Sequence, residues 1–434
     1  MSCVSYTPIA LDEERFTKTE ITADFDAFIE FVKTTHPDIE YSTDLSALDT
    51  ASSRIRADLQ GDITLREAWM SMALVNPVFG DAHIGLRRPV KALAAYEAEG
   101  GVLFPAPVIF DGDGLLRVAP SVSHGLGFVA GDEIVSINGV LSTDIITTIM
   151  PRMRGESEAL RKLILELYFP QYFWIAYGGF EDYAVRVRRG GRIKVVQPKL
   201  RASGEHSDSE EMFRYETLNA ETGYLNIKTF NIKYKDRFAE FISDAFAEIQ
   251  NAGVENLIID LRENGGGAHD VSDLLMDYLT ADAYSPISRV TARITEENVN
   301  RIPGAKLGDV VTVPFQLPVT PEKNKPLRFT GNVYALVGAL TYSQAIAFAT
   351  TLQDFDIAVI AGEQTEGPAN QTGQVQQRAL PNTGLEALAP IYIFTRANGD
   401  TSRRGVMPDI AIENDPLDPM HSVRTLLIYL EQRN

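Results

Sequence analysis

Apolar residues recur at three- and four-residue spacing through the first part of the chain, from residue 11 to about 75. In residues 24–37, Phe25, Phe28, Ile29 and Val32 share one face of a helix that Pro37 closes, and residues 65–74 form a second amphipathic segment. Residues 80–86, GDAHIGL, read as a loop entering a strand. From 103 to 187 the pattern predicts short strands and turns. LFPAPVIF and LLRVAP flank a turn at 111–114 as a β-hairpin, and Ile134, Val135 and Ile137 precede an Asn138-Gly139 turn. A turn at 190–192 and a polar linker at 202–211 follow.

Beyond Tyr215 strand and helix alternate. YLNIKTF, VENLIIDL, NVYALV and IAVIAG are apolar strand patterns, interleaved with helical patterns at 236–253, 268–279 and 345–352. Such alternation predicts an α/β layer with a largely parallel sheet, whose sites form at the carboxyl ends of strands. The expected organisation is a helical region at 1–95, a small β domain at 96–200 and an α/β core at 210–434.

Composition narrows the function. A formal net charge of −19 disfavours a nucleic-acid or anionic-membrane surface, and no run reaches the roughly 20 apolar residues of a membrane span. The single cysteine, Cys3, excludes disulfide frameworks, cysteine-ligated zinc and catalysis by a core thiol. The opening MSCVSYTPIALDEERF lacks the apolar core of an intact signal peptide. Cys3 therefore reads either as the lipid-anchor site of an exported chain or as an incidental thiol.

Two segments carry candidate chemistry. Ser343 lies where a buried strand gives way to a helix, beside amides that have no helical partner. An oxyanion formed there would be stabilised by those amides, although taken alone Ser343 is also an ordinary N-cap. At the end of another buried strand, DLRENGGG brings three glycines to a strand–helix turn, which serves either an anion or a tight turn. No Gly-Lys-Ser/Thr follows, so a P-loop is disfavoured. A serine needs a base, and position alone leaves His83 and His269 comparable.

The ordered set GDAHIGL, GFVAGDEIVSINGV, YLNIKTF, LIIDLRENGGG, TYSQAIAFA, GEQTEG and RRGVMPDIAI resembles the carboxyl-terminal processing peptidases, and within them the tricorn-core branch. The resemblance runs from about residue 80 to 412. It implies a crotonase-like α/β core with a PDZ-like domain and a helical N-terminal part, acting as a serine endopeptidase through an acyl-enzyme. Ser343 then matches the nucleophile and His83 the base. The amides of Gln344 and of Gly266 or Gly267 match the oxyanion hole. Residues Gly101, Val102, Leu103 and Phe104 stand where a peptide-binding loop would lie. Pro368 occupies the place of the lysine that another branch uses. The family's acidic residue before Gly-Val-x-Pro-Asp is matched by Ser402, with Asp400 two residues away. Asp260, Arg262 and Asp409 are expected to be structural.

These readings imply protein or peptide substrates, no cofactor and no metal, and export to the periplasm or cell envelope, with a cytoplasmic site as the alternative. The competing reading is a catalytically weak or inactive ligand-binding protein on the same fold. A phosphate-binding α/β protein is a third.

Overall fold

The computed structural model describes residues 14–199, 212–301, 303–315 and 318–433, so Cys3 and the linker expected at 202–211 lie outside the described residues. The chain divides into two compact units, Met1–Ser207 with Gln374–Ile391, and Asp208–Gly373 with Tyr392–Asn434.

Capping sets where the first helices begin. Helix α1 (Lys18–Thr35) starts with a reciprocal pair, Thr17 accepting the Glu20 amide while the Glu20 carboxylate accepts the Thr17 amide. Asp44 caps α2 (Leu45–Asp58), and Thr64 with Glu67 repeats the reciprocal pair for α3 (Leu65–Met72). The expected apolar face of α1 is enclosed: Phe25, Phe28, Ile29 and Val32 are buried. After α4 (Val90–Ala98) comes an antiparallel sheet in the order Val108–Phe110, Leu116–Val118, Glu133–Ile137, Val185–Arg189, Arg192–Val196. Asn138 and Gly139 both take positive φ in the turn that leads to Val140–Leu141, as the hairpin signal predicts.

Two helices overturn the expectation of strands and turns throughout 103–187. They are α5 (Ser142–Ile149) and α6 (Glu158–Tyr177). In α6 apolar side chains surround the axis and Tyr168 interrupts the helical φ/ψ two residues before Pro170, so no clean helical period is visible. Burial stabilises it instead, through Leu165, Phe169, Phe173 and Trp174. One core then runs from Phe16 to Val196, so the boundary expected near residue 95 separates no compact units.

Residues 374–391 return to this unit. The buried Asp24 carboxylate accepts bonds from the amides and side chains of Asn382 and Thr383. Ala387 and Leu388 pair with Leu86 and Gly85, and Glu386 bridges Arg87 at 2.9 Å. These bonds hold the exit of the loop that carries His83.

A buried carboxyl in α6 makes this unit pH-sensitive. Burial pushes Glu166 up to about 7, against the opposing bond from the Phe110 amide at 2.6 Å. The folded state therefore holds a proton that the unfolded chain releases near 4.5, and stability falls as pH rises from about 4.5 to about 7. Glu166→Gln keeps an acceptor for Phe110. It is expected to gain about 2–3 kcal/mol at pH 8 and almost nothing at pH 4, measured by urea unfolding at both values.

In the second unit the sheet runs Phe213–Thr217, Thr222–Ile227, Asn256–Asp260, Asn332–Val337, Val359–Gly362, Ile410–Ala411, with every pair after the first parallel. Side-chain alternation covers both faces. Leu257, Ile259, Ala335 and Val337 pack with α7 (Lys235–Ala252), α8 (His269–Leu279) and α9 (Gln344–Asp354), while Ile258 and Leu336 meet α10 (His421–Glu431). A separate antiparallel set joins Val310–Pro314, Ile287–Arg293 and residues 392–396.

Candidate active site

The two central parallel strands end side by side, and their exit loops are stitched together. Leu261 donates its amide to the Leu336 carbonyl, Thr341 Oγ1 donates to the Leu261 carbonyl, and Tyr342 donates its amide to the Asn264 carbonyl at 3.0 Å. Below them lies a buried charge pair. Asp260 accepts the Tyr224 hydroxyl at 2.7 Å and two bonds from the Arg262 guanidinium, through Nε and Nη2; Nη2 also donates to the Pro419 carbonyl, and Nη1 donates to Asn414 Oδ1. Burial alone would lower Arg262, but the bonds and charge of Asp260 outweigh it and hold the guanidinium above its usual range. Asp260 and Arg262 therefore fix the root of the glycine loop, the structural part expected of them.

Within that loop Asn264 is fully buried, donating Nδ2 to the Ile227 carbonyl and accepting the Gly266 amide on Oδ1 at 2.9 Å. The Gly266 carbonyl accepts the Phe230 amide, and Ala268 donates its amide to the Phe230 carbonyl. No side chain fits here. A Cβ on Gly266 would lie 2.7 Å from Ser343 Cβ and 2.8 Å from the Gln344 nitrogen, and one on Gly267 would lie 2.1 Å from the Phe230 carbonyl carbon. The glycines thus let the loop backbone touch the shoulder of Ser343. With the Gly266 N–H taken by Asn264, the amides of Gly267 and Gln344 are the candidate oxyanion donors that remain of those expected.

Ser343 stands at the N-cap position of α9 but does not cap it. Its backbone takes φ 53°, ψ −122°, far from the extended conformation of a capping residue, and its side chain makes no capping bond. Such a conformation in a residue with a Cβ is strained by about 1–3 kcal/mol and persists only where the surroundings enforce it. The Ser343 carbonyl is held twice, by the Ala347 amide at 3.1 Å and by Gln371 Nε2 at 2.9 Å. The other amide atom of Gln371, Oε1, is buried with no partner among the described residues. Sequence reasoning passed over Gln371, which lies 28 positions from Ser343 in no recognisable spacing.

Other expected residues resolve within the same unit. His269 is 71% exposed and turned toward Asp270 and Asp273 of its own helix, which leaves it a surface pair. Pro368 bridges to Gly405, and Thr365 Oγ1 accepts the Val406 amide. Asp400 and Ser402 satisfy each other: Asp400 accepts both the amide and the hydroxyl of Ser402 at 2.9 Å, and these bonds hold its carboxyl below the usual range. They line a cleft of about 220 Å³ with Gln353, Arg396, Arg404 and Asp409. Asp409 anchors its turn as expected, accepting the Ile360 amide and Gln353 Nε2.

In the first unit, His83 sits on a turn closed by Asp81. The buried Asp81 carboxylate accepts the His83 amide at 2.7 Å and lies 3.5 Å from the imidazole Nδ1, while the ring is mostly buried. The Asp-x-His spacing of Asp81 and His83 in the sequence carries this pairing. The segment from Gly101 to Phe104 does not have the form of a carboxylate clamp. Gly101 and Val102 both give their amides to Tyr96, and the Phe104 ring is buried against Phe169 and Tyr183. Among the described residues no three His, Cys, Asp or Glu side chains are grouped to hold a metal, and no helix is long and apolar enough to cross a membrane.

Residues 221–412 match the family model for Peptidase family S41. The chain is similar in fold to the solved structure of mature CPAF complexed with lactacystin, with a TM-score of 0.68 at 15% identity over 96% of this chain and 97% of that one. A second structure of mature CPAF gives 0.66 at 14% identity over 95% and 96%. The photosystem II D1 C-terminal processing protease gives 0.50 at 17% identity over 94% and 97%.

Proposed function

We propose that this chain, whose residues 221–412 match the family model for Peptidase family S41, is a serine-type peptidase acting on proteins or peptides, with Ser343 as its nucleophile and His83 as its general base. The observation that carries the assignment is the conformation of Ser343, a strained serine at a helix start that caps nothing. In the proposed reaction the hydroxyl attacks the scissile carbonyl and passes its proton to His83. The tetrahedral oxyanion is stabilised by the amides of Gly267 and Gln344. His83 then gives the proton to the leaving amine, and water hydrolyses the acyl-enzyme by the reverse sequence. Assigning Gly267 rather than Gly266 follows from the bond between Gly266 and Asn264.

The residue that orients His83 is Asp81 on this reading, because Asp400 and Ser402 already satisfy one another. Asp81→Asn is expected to lower kcat by about 10²–10⁴, whereas Asp400→Asn changes it by less than about threefold. Steady-state assays of the two variants on a peptide substrate separate the assignments. The antiparallel sheet of the first unit, with its Gly131-Asp132 turn, is read as a PDZ-like domain that admits unfolded or C-terminally exposed segments. Export to the periplasm or cell envelope follows from the same resemblance.

The decisive experiment is labelling by a fluorophosphonate probe. The native chain should form a covalent adduct on Ser343 that is absent in Ser343→Ala. If no adduct depends on Ser343, the nucleophile assignment fails and a binding role on the same fold replaces it.

A further inference from the structure

The two atoms flanking the bond between Ser343 and Gln344 belong to one rigid peptide plane. The Ser343 carbonyl and the Gln344 N–H point in opposite directions from it, so whatever fixes the carbonyl also aims the N–H. Helix geometry supplies one anchor, the Ala347 amide. The second is Gln371 Nε2, from a segment that is itself tied down. Asn370, its neighbour, donates to the Ser402 carbonyl at 2.7 Å and accepts the Arg396 amide, and the Ala369 amide reaches the Arg404 carbonyl. Gln371 is 8% exposed, and its Oε1 has no hydrogen-bond donor within reach among the described residues. A glutamine kept only for stability would be expected to satisfy both ends of its amide. Here one end is left unsatisfied while the other grips the carbonyl of the strained serine.

We propose that Gln371 is a positioning residue for the hydrolysis, acting through the 343–344 peptide plane to aim the Gln344 N–H at the oxyanion. The proposal rests on the assignment of Ser343 as nucleophile. Gln371 touches no reacting atom. It holds ψ of Ser343 near −122°, so that the oxyanion donor is in place before substrate arrives.

The test is Gln371→Met, which preserves length and removes both the donor and the orphaned acceptor. It is expected to slow both kcat and fluorophosphonate labelling by about 10–100-fold, with KM within about threefold of the native value. Its melting temperature should be equal to or above native, because a buried unsatisfied oxygen has gone. Gln371→Glu supplies the rescue arm. Once protonated, the Q371E carboxyl can donate to the Ser343 carbonyl, so its rate relative to native should rise as pH is lowered. Labelling of Q371M at the native rate would overturn the proposal. So would a slowed Q371M whose melting temperature drops by more than about 4 °C, the mark of a merely structural side chain, or a Q371E-to-native ratio that does not change with pH. A native chain that is not labelled at all would instead remove the nucleophile assignment beneath it.

Discussion

Ser343→Ala should lower peptide turnover by a factor on the order of 10⁶, and His83→Ala by a comparable factor, with the double variant little worse than either. The magnitude follows from the chemistry. A serine hydroxyl is a poor nucleophile at neutral pH until a base removes its proton as the bond forms, so removing the nucleophile or the base disables the same step. What remains is the contribution of the amides and of substrate binding, on the order of 10³ over water. Single-turnover assays with an activated ester, run beside peptide hydrolysis, measure this directly. Losses that multiply in the double variant would mean that the two residues act in separate steps, and the assignment of His83 as the base of Ser343 would be lost.

The second large effect is expected from a single methyl group. In Gly266→Ala the new Cβ would press on Ser343 Cβ, the Tyr342 carbonyl oxygen and the Gln344 nitrogen, all within 2.8 Å, from a residue at φ 96°. None of these is the far end of a flexible side chain, so the backbone at Ser343 itself must move. Loss of an aligned oxyanion donor typically lowers kcat by about 10²–10³, and the same displacement here should be as damaging. Backbone strain adds a stability loss of about 1–3 kcal/mol. Gly265→Ala is the internal control, because a Cβ there meets nothing within 4 Å. It should retain kcat within about threefold and destabilise by less than about 1 kcal/mol. Equal effects from the two substitutions would show that the loop tolerates no side chain anywhere and would detach Gly266 from the geometry of Ser343.

The comparison of sequence with structure divides along the range of the interactions. The α/β layer was readable because each element carries its own period. Leu257 to Ile259 alternate between the two covered faces, and α7 ends at Gly253 in a left-handed conformation, as the chain pattern predicts. Helix α6 was not readable, since its aromatic and aliphatic residues bury it on several sides and erase the helical stripe. The antiparallel strands 287–293 and 310–314 were passed over as well. The first pairs with residues 392–396, about 100 positions later, and the second pairs in turn with the first.

For the proposed site, local sequence sufficed to nominate Ser343, His83 and the glycine turn as candidates. A serine at a helix start, a histidine on a small-residue loop and consecutive glycines each leave a short-range mark. Tertiary structure alone selected among the donors and partners. It gave the Gly266 amide to Asn264, turned His269 to the surface, closed Asp400 on Ser402 and brought Gln371 to the Ser343 carbonyl. Those choices depend on which groups fill one another's hydrogen bonds once segments far apart in the chain are packed together, and no residue's neighbours along the chain carry that information.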